Sequence, residues 1–141
     1  MLVSTKGRYA LRVVIDLAEH EGEGYLPLRD VAHRLGISEK YLESVLKTLV
    51  RDHLIEGMRG KGGGYRLTRP AADYTAGEVL RATEGSLAPV AGLDNEEAFR
   101  IEEPRCHGMW EKLDALIEDY LDGVKITALC LSSLVGNDYV I

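Results

Sequence analysis

Apolar residues recur at helical spacing in three successive stretches near the start of the chain. In the first, Ala10, Leu11, Val13, Val14, Ile15, Leu17 and Ala18 cover much of a helical circumference. That predicts a deeply packed helix from about Lys6 to His20, capped by Ser4-Thr5 and ended by Glu-Gly-Glu-Gly. Leu28, Val31, Ala32 and Leu35 then fall at i, i+3, i+4 and i+7, one face of a short helix whose first turn Pro27 suits. Gly36-Ile37 makes a turn, and Ser38 caps a third helix reaching about His53, with Leu42, Val45, Leu46, Leu49 and Val50 as its inner stripe. A short helix, a tight glycine-containing turn and a longer helix form the helix-turn-helix pattern. Two short alternating segments follow, Leu54-Ile55-Glu56 and Tyr65-Arg66-Leu67-Thr68, and the glycine-rich stretch between them predicts a hairpin.

Further on, Thr75-Ala76-Gly77-Glu78 is a capping box that opens a short helix ending at Gly85. Residues 86–105 read as an acidic linker, with Pro89, Gly92, Pro104 and five acidic residues between 94 and 103. From His107 to Asp122 the helical pattern returns, with Trp110, Leu113, Leu116, Ile117, Tyr120 and Leu121 on one stripe. The expected fold class is mainly α with a small β hairpin. The expected division is a helix-turn-helix unit with its hairpin over residues 1–85, an acidic linker over 86–105, and a long dimerisation helix with a C-terminal segment over 106–141.

Charge sharpens this division. The chain of 141 residues carries a net charge of −6, which by itself opposes contact with nucleic acid. Residues 1–70, however, hold 12 Lys/Arg against 9 Asp/Glu, and residues 71–141 hold 5 against 14. The first half is thus at +3 and the second at −9, so the acidic half would turn the basic half towards a polyanion. No apolar run reaches signal-peptide or membrane-spanning length, so a cytoplasmic protein without a membrane partner is expected.

Residues 57–69 carry four positive charges, no negative one and five glycines. Glycine permits close backbone approach, and Arg59, Lys61, Arg66 and Arg69 suit phosphates. Directly behind a helix-turn-helix, this stretch reads as the wing of a winged-helix DNA-binding domain. A hairpin tip with solvated charges would look the same in isolation; the preceding helices decide between the two. The outer face of the third helix presents Lys40, Glu43, Ser44, Lys47 and Arg51. Lys40 and Ser44 can donate to base or phosphate acceptors, and Glu43 can accept from a cytosine amino group. The glycines do not match a nucleotide-binding loop: Gly64-Tyr65 stands where a Walker-type loop needs Lys-Ser/Thr, and Tyr65 breaks a dinucleotide fingerprint. No Ser/His/Asp arrangement or carboxylate pair in a cleft is apparent, so no enzyme is expected. A protein–protein adaptor on the same fold, with an incidental basic patch, is the alternative.

Ser4-Thr5-Lys6-Gly7-Arg8-Tyr9-Ala10, Gly36-Ile37-Ser38 with Tyr41-Leu42-Glu43, Arg59-Gly60-Lys61-Gly62-Gly63-Gly64-Tyr65, Thr75-Ala76-Gly77-Glu78-Val79 and Trp110 together carry a resemblance over nearly the whole chain. It resembles the bacterial winged-helix regulators that include the iron–sulfur cluster regulator IscR, the nitric-oxide sensor NsrR and the cysteine-metabolism repressor CymR. The resemblance implies a homodimeric regulator, usually a repressor, of a double-stranded DNA operator. It places DNA contacts on Ser38, Tyr41, Glu43 and Ser44, and on Arg59, Lys61 and the wing residues Gly60, Gly62, Gly63 and Tyr65. It implies dimerisation through Trp110, Leu113, Ile117, Tyr120 and Leu121.

Cluster-binding members place three cysteines in the loop before the long helix, with a fourth ligand from His or a carboxylate. Residues 86–110 here contain Cys106, adjoining His107, and no second cysteine. His107-Gly108-Met109-Trp110 resembles the His-x-x-Trp of the cluster regulator, so His107 matches its histidine ligand. Nitric-oxide sensors can add an acidic ligand near the N-terminus, where this chain has Arg8. A cluster needs four ligands, so none is expected, nor any other metal. Glu84-Gly85-Ser86-Leu87-Ala88-Pro89-Val90 looks more like the cysteine-metabolism repressor, which binds no cluster and acts with cysteine synthase as partner. Cys106 keeps three readings: a plain thiol, a redox-sensing thiol favoured as thiolate by His107, Arg105 and a helix start, or a metal ligand shared across the dimer. Cys130, among leucines, reads as an inert buried thiol.

Overall fold

The computed structural model describes residues 3–93 and 95–131. Residues 132–141 of the expected C-terminal segment lie outside the described residues. Helix α1 (Thr5–Glu19) begins where the Ser4 hydroxyl accepts from the Gly7 amide at 3.0 Å. Helix α2 (Leu28–Leu35) stops at Gly36, whose φ of 68° is the left-handed conformation that closes a helix. Helix α3 (Glu39–Arg51) starts at Ser38, whose hydroxyl accepts from the Tyr41 amide at 3.1 Å. It ends two residues earlier than its pattern suggests. His53 takes a φ of 60°, and the Leu54 amide reaches back to the Leu49 carbonyl at 3.0 Å. That closure turns the chain into the hairpin.

Strands β1 (Ile55–Met58) and β2 (Gly64–Leu67) pair antiparallel, with Ile55 opposite Leu67 and Met58 opposite Gly64. Leu26, in the loop before α2, extends this ladder through two bonds with Tyr65, at 2.8 and 2.9 Å. The hairpin therefore grows out of the core and does not hang from its own two ends. Buried Tyr74 locks the far side: its hydroxyl donates to the Leu54 carbonyl at 2.6 Å and accepts from the Thr68 amide at 3.0 Å.

Helix α4 (Ala76–Glu84) is capped by Thr75, and packs on α1 so closely that a side chain at Gly7 would press on its neighbours. A Cβ there would stand 3.0 Å from the Thr83 hydroxyl and 3.2 Å from a Glu84 carboxylate oxygen. That carboxylate accepts from both the Ser4 amide (2.6 Å) and its hydroxyl (2.8 Å). Burial alone would raise the Glu84 pKa, but these bonds outweigh it and hold the carboxyl below its ordinary value. The core runs through Val13, Val14, Leu17, Val31, Leu42, Val45, Leu46, Leu49 and Val79. At its rim Asp16, buried on α1, is held by both forks of Arg34 on α2 at 2.8 Å. This ties the helix-turn-helix to the rest of the domain.

Two features depart from the sequence pattern. The span 86–105 contains a seven-residue helix, α5 (Glu96–Glu102), and its Leu87 and Leu93 are buried. Val50, grouped with the inner stripe of α3, is 38% exposed. It lies at the edge of that stripe, facing the hairpin. Helix α6 (His107–Gly123) packs against α4, where Arg81 grips Asp122 at 2.7 Å and Glu118 at 3.4 Å. The chain then returns to the core: the Ile126 amide donates to the Tyr74 carbonyl at 3.0 Å, and Ile126 and Cys130 are buried. No helix among the described residues is long and apolar enough to cross a membrane.

Candidate nucleic-acid interface

Each residue of an α-helix advances about 100° around the axis. On α3 this puts Lys40, Ser44, Lys47 and Arg51 along one outward line, with Glu43 and Val50 on its hairpin side. All six are exposed. Tyr41 lies on the other flank, half-buried, with its ring edge-on to Tyr9 at 5.4 Å. Ser38 is spent as the cap of α3, though it stays exposed at the end of the helix that would enter a groove.

The wing tip is shaped by its glycines. Gly60 and Gly62 adopt φ of 91° and 79°, and the Gly63 amide closes the turn onto the Gly60 carbonyl at 3.0 Å. A Cβ on Gly63 would sit 2.1 Å from the Met58 carbonyl oxygen. Tyr65, half-buried, joins Glu43, Lys47, Val50, Gly57, Met58 and Arg59 around an open crevice between α3 and the hairpin. Recognition helix and wing therefore share one surface.

The four wing cations do not act alike. Arg66 is bound to Glu56 at 2.7 Å and stacks over Tyr25 at 4.2 Å, while Arg69 pairs with Glu78 and stacks over Tyr74 at 4.2 Å. Both are engaged within the fold, so of the four cations that suit phosphates these two already have partners. Arg59, Lys61, Lys40 and Lys47 are exposed and make no hydrogen bond or ion pair within the described residues. These are the charges left for a polyanion. The strand register marks Arg66, which sits opposite Glu56, whereas Arg59 and Lys61 lie in the turn; Arg69, beyond β2, meets Glu78 only through the fold.

On α6, the apolar stripe splits. Trp110, Ile117 and Leu121 are half-buried, whereas Leu113 and Tyr120 are 38% and 71% exposed. Leu116 and Met109, at 58% and 57%, continue the exposed strip, and Met109 lies outside the stripe that periodicity predicts. Four large apolar side chains in a row facing water mark an interaction surface.

Cys106 is exposed just before α6, in a shallow crevice with Glu103, Pro104, Arg105 and Trp110. His107 beside it is buried, its Nδ1 3.4 Å from Glu111. Cys130 is buried, and its thiol donates to the Ile126 carbonyl at 3.5 Å. Burial, then the fields of Glu19 and Glu21, push that thiol's pKa up. Cys106 is exposed just before α6, whereas Cys130 is buried in the core beyond it. Among the described residues no three His, Cys, Asp or Glu side chains are grouped to hold a metal ion.

The chain as a whole is similar to known proteins. Residues 3–131 match the family model Rrf2, described as "Iron-dependent Transcriptional regulator". The HTH-type transcriptional regulator CymR of Bacillus subtilis is 35% identical over 92% of this chain and 89% of its own length. The HTH-type transcriptional regulator IscR of Erwinia tasmaniensis is 33% identical over all of this chain and 82% of its own. The solved structure of CymR, the global cysteine regulator of B. subtilis, superposes with a TM-score of 0.75 at 33% identity, covering 92% of this chain and 95% of that one.

Proposed function

This chain belongs to the Rrf2 family of transcriptional regulators, and we propose that it is a homodimeric repressor that grips duplex DNA with α3 and the wing. The observation that carries this reading is the exposed, unpaired set Lys40, Lys47, Arg59 and Lys61 on one surface. Arg59 and Lys61 supply charge to the phosphates beside the groove, and Glu43 and Ser44 read base edges within it. The exposed strip on α6 joins two copies, so that two recognition helices meet two half-sites about one helical turn apart. Membership in a family of transcriptional regulators speaks against an adaptor that leaves its basic patch idle.

Replacing Arg59 or Lys61 with Ala weakens binding to every duplex and lowers the salt slope by roughly 0.9 for each phosphate no longer neutralised. Replacing Glu43 or Ser44 changes the preferred sequence more than the overall affinity. The measurement is fluorescence titration of a duplex selected from a random pool, across salt. Wing variants that bind as the parent does would overturn the assignment.

The family description names iron dependence, but the donors present do not fit an iron–sulfur cluster. The loop before α6 supplies Cys106 and His107, and Cys130 is buried at the other end of that helix. A cluster requires about four ligands, mostly thiolates. The reading is therefore a cluster-free regulator. Its likeness to CymR favours control of cysteine or sulfur metabolism, with cysteine synthase as the partner enzyme to be tested. Protein prepared without oxygen is expected to be colourless, with no stoichiometric iron or sulfide. A brown protein carrying one cluster per subunit would overturn this branch and direct attention to ligands shared between subunits.

A further inference from the structure

The flank of α3 away from the wing is also lined by cations. Lys6, at the second position of α1, meets Ser44, Lys47, Thr48 and Arg51 around an open pocket. Arg51 is steadied by its own partners, Asp52 at 3.0 Å and the Ala82 carbonyl at 2.9 Å. Lys6 and Lys47 make no hydrogen bond or ion pair within the described residues. Lys6 is half-buried, and the backbone around it is fixed by the Ser4–Glu84 clamp and the tight seat of Gly7. Its ammonium is thus presented from a braced turn and not from a mobile tail.

The major groove is about 12 Å wide, and a phosphate strand runs along each side of a helix lying in it. On one side of α3 stands the wing with Arg59; on the other stands the first turn of α1 with Lys6. We infer that α1 supplies a second phosphate-binding wall, in which Lys6, with Lys47 beside it, grips the strand opposite to the one held by the wing. This rests on the DNA-binding reading above and adds α1 to the helix and wing as a contact element. It also gives the Glu84–Ser4 clamp a purpose: it positions Lys6 without touching DNA.

The test uses the full chain and a duplex that the parent selects from a random pool, with affinity measured across salt and phosphate contacts mapped by ethylation interference. Lys6→Ala is expected to lower the salt slope by about 0.9 for each phosphate no longer neutralised and to weaken interference on one strand of each half-site, while Arg59→Ala weakens it on the other strand of the same half-site. Lys6→Arg should restore both readouts, because the role is charge and not packing. If Lys6→Ala keeps the parent's slope and interference pattern while Arg59→Ala loses its own, the second wall is wrong and the DNA-binding reading stands. Loss on the same strand as Arg59→Ala, or failure of Lys6→Arg to restore, also overturns it. A parent that selects no duplex overturns both readings.

Discussion

Leu113→Asp is expected to turn the proposed dimer into a monomer and to remove most of its affinity for duplex DNA. Leu113 lies in the exposed strip with Met109, Leu116 and Tyr120, and is 38% exposed in the single chain. A carboxylate there stays solvated in the isolated subunit, so the fold is retained. In the proposed dimer the same charge would be buried without a partner, which association cannot offset. Separating the two recognition helices removes the gain from linking two half-sites, roughly 10²–10⁴-fold in affinity. Tyr120→Asp, at the other end of the strip, should act in the same way. Sedimentation and titration of the selected duplex provide the check. A parent chain that sediments as a monomer at micromolar concentration would refute the dimer.

Gly64→Val detaches the wing. Gly64 has a φ of 148°, and a Cβ there would lie 2.1 Å from the Leu26 carbonyl oxygen and 2.4 Å from its carbon. These are backbone atoms of the bridge that anchors the hairpin, so no side chain can move aside to make room. Relief requires the two Leu26–Tyr65 bonds to break. With the strained φ this costs about 2–4 kcal/mol of stability and leaves Arg59 and Lys61 on an unanchored loop. Gly60→Ala is the comparison: its φ of 91° is also strained, but its Cβ would meet open space, so about 1–2 kcal/mol is expected. Denaturant unfolding distinguishes the two. Equal stability of both variants would mean that the contact with Leu26 does not hold the wing.

Much of the fold is legible in the residues themselves. Ser4, Ser38 and Thr75 cap helices where their side chains suggest, because a cap is a bond between neighbours three residues apart. The helix-turn-helix follows from apolar spacing around Gly36, and the wing tip from glycines whose positive φ other residues resist. Helix α5 leaves no such trace, because seven residues carry little periodicity and sit in an acidic, proline-flanked stretch. The closure of α3 at His53 is hidden as well, since a left-handed histidine has no signature in sequence.

By itself, then, the sequence determined the local elements, the separation of charge between the two halves, and the shortage of thiolates before the long helix. Tertiary structure alone decided which charges are available. Arg66 and Arg69 are consumed by Glu56 and Glu78, Lys6 is brought beside Ser44 and Lys47, and the α6 stripe divides into a half-buried and an exposed line. The reason is range. Caps, turns and helical periodicity are set by neighbours a few residues apart, whereas the partner of a charged side chain is whatever the packed chain places within a few ångströms of it. For Ser4 and Glu84 that partner lies 80 residues away.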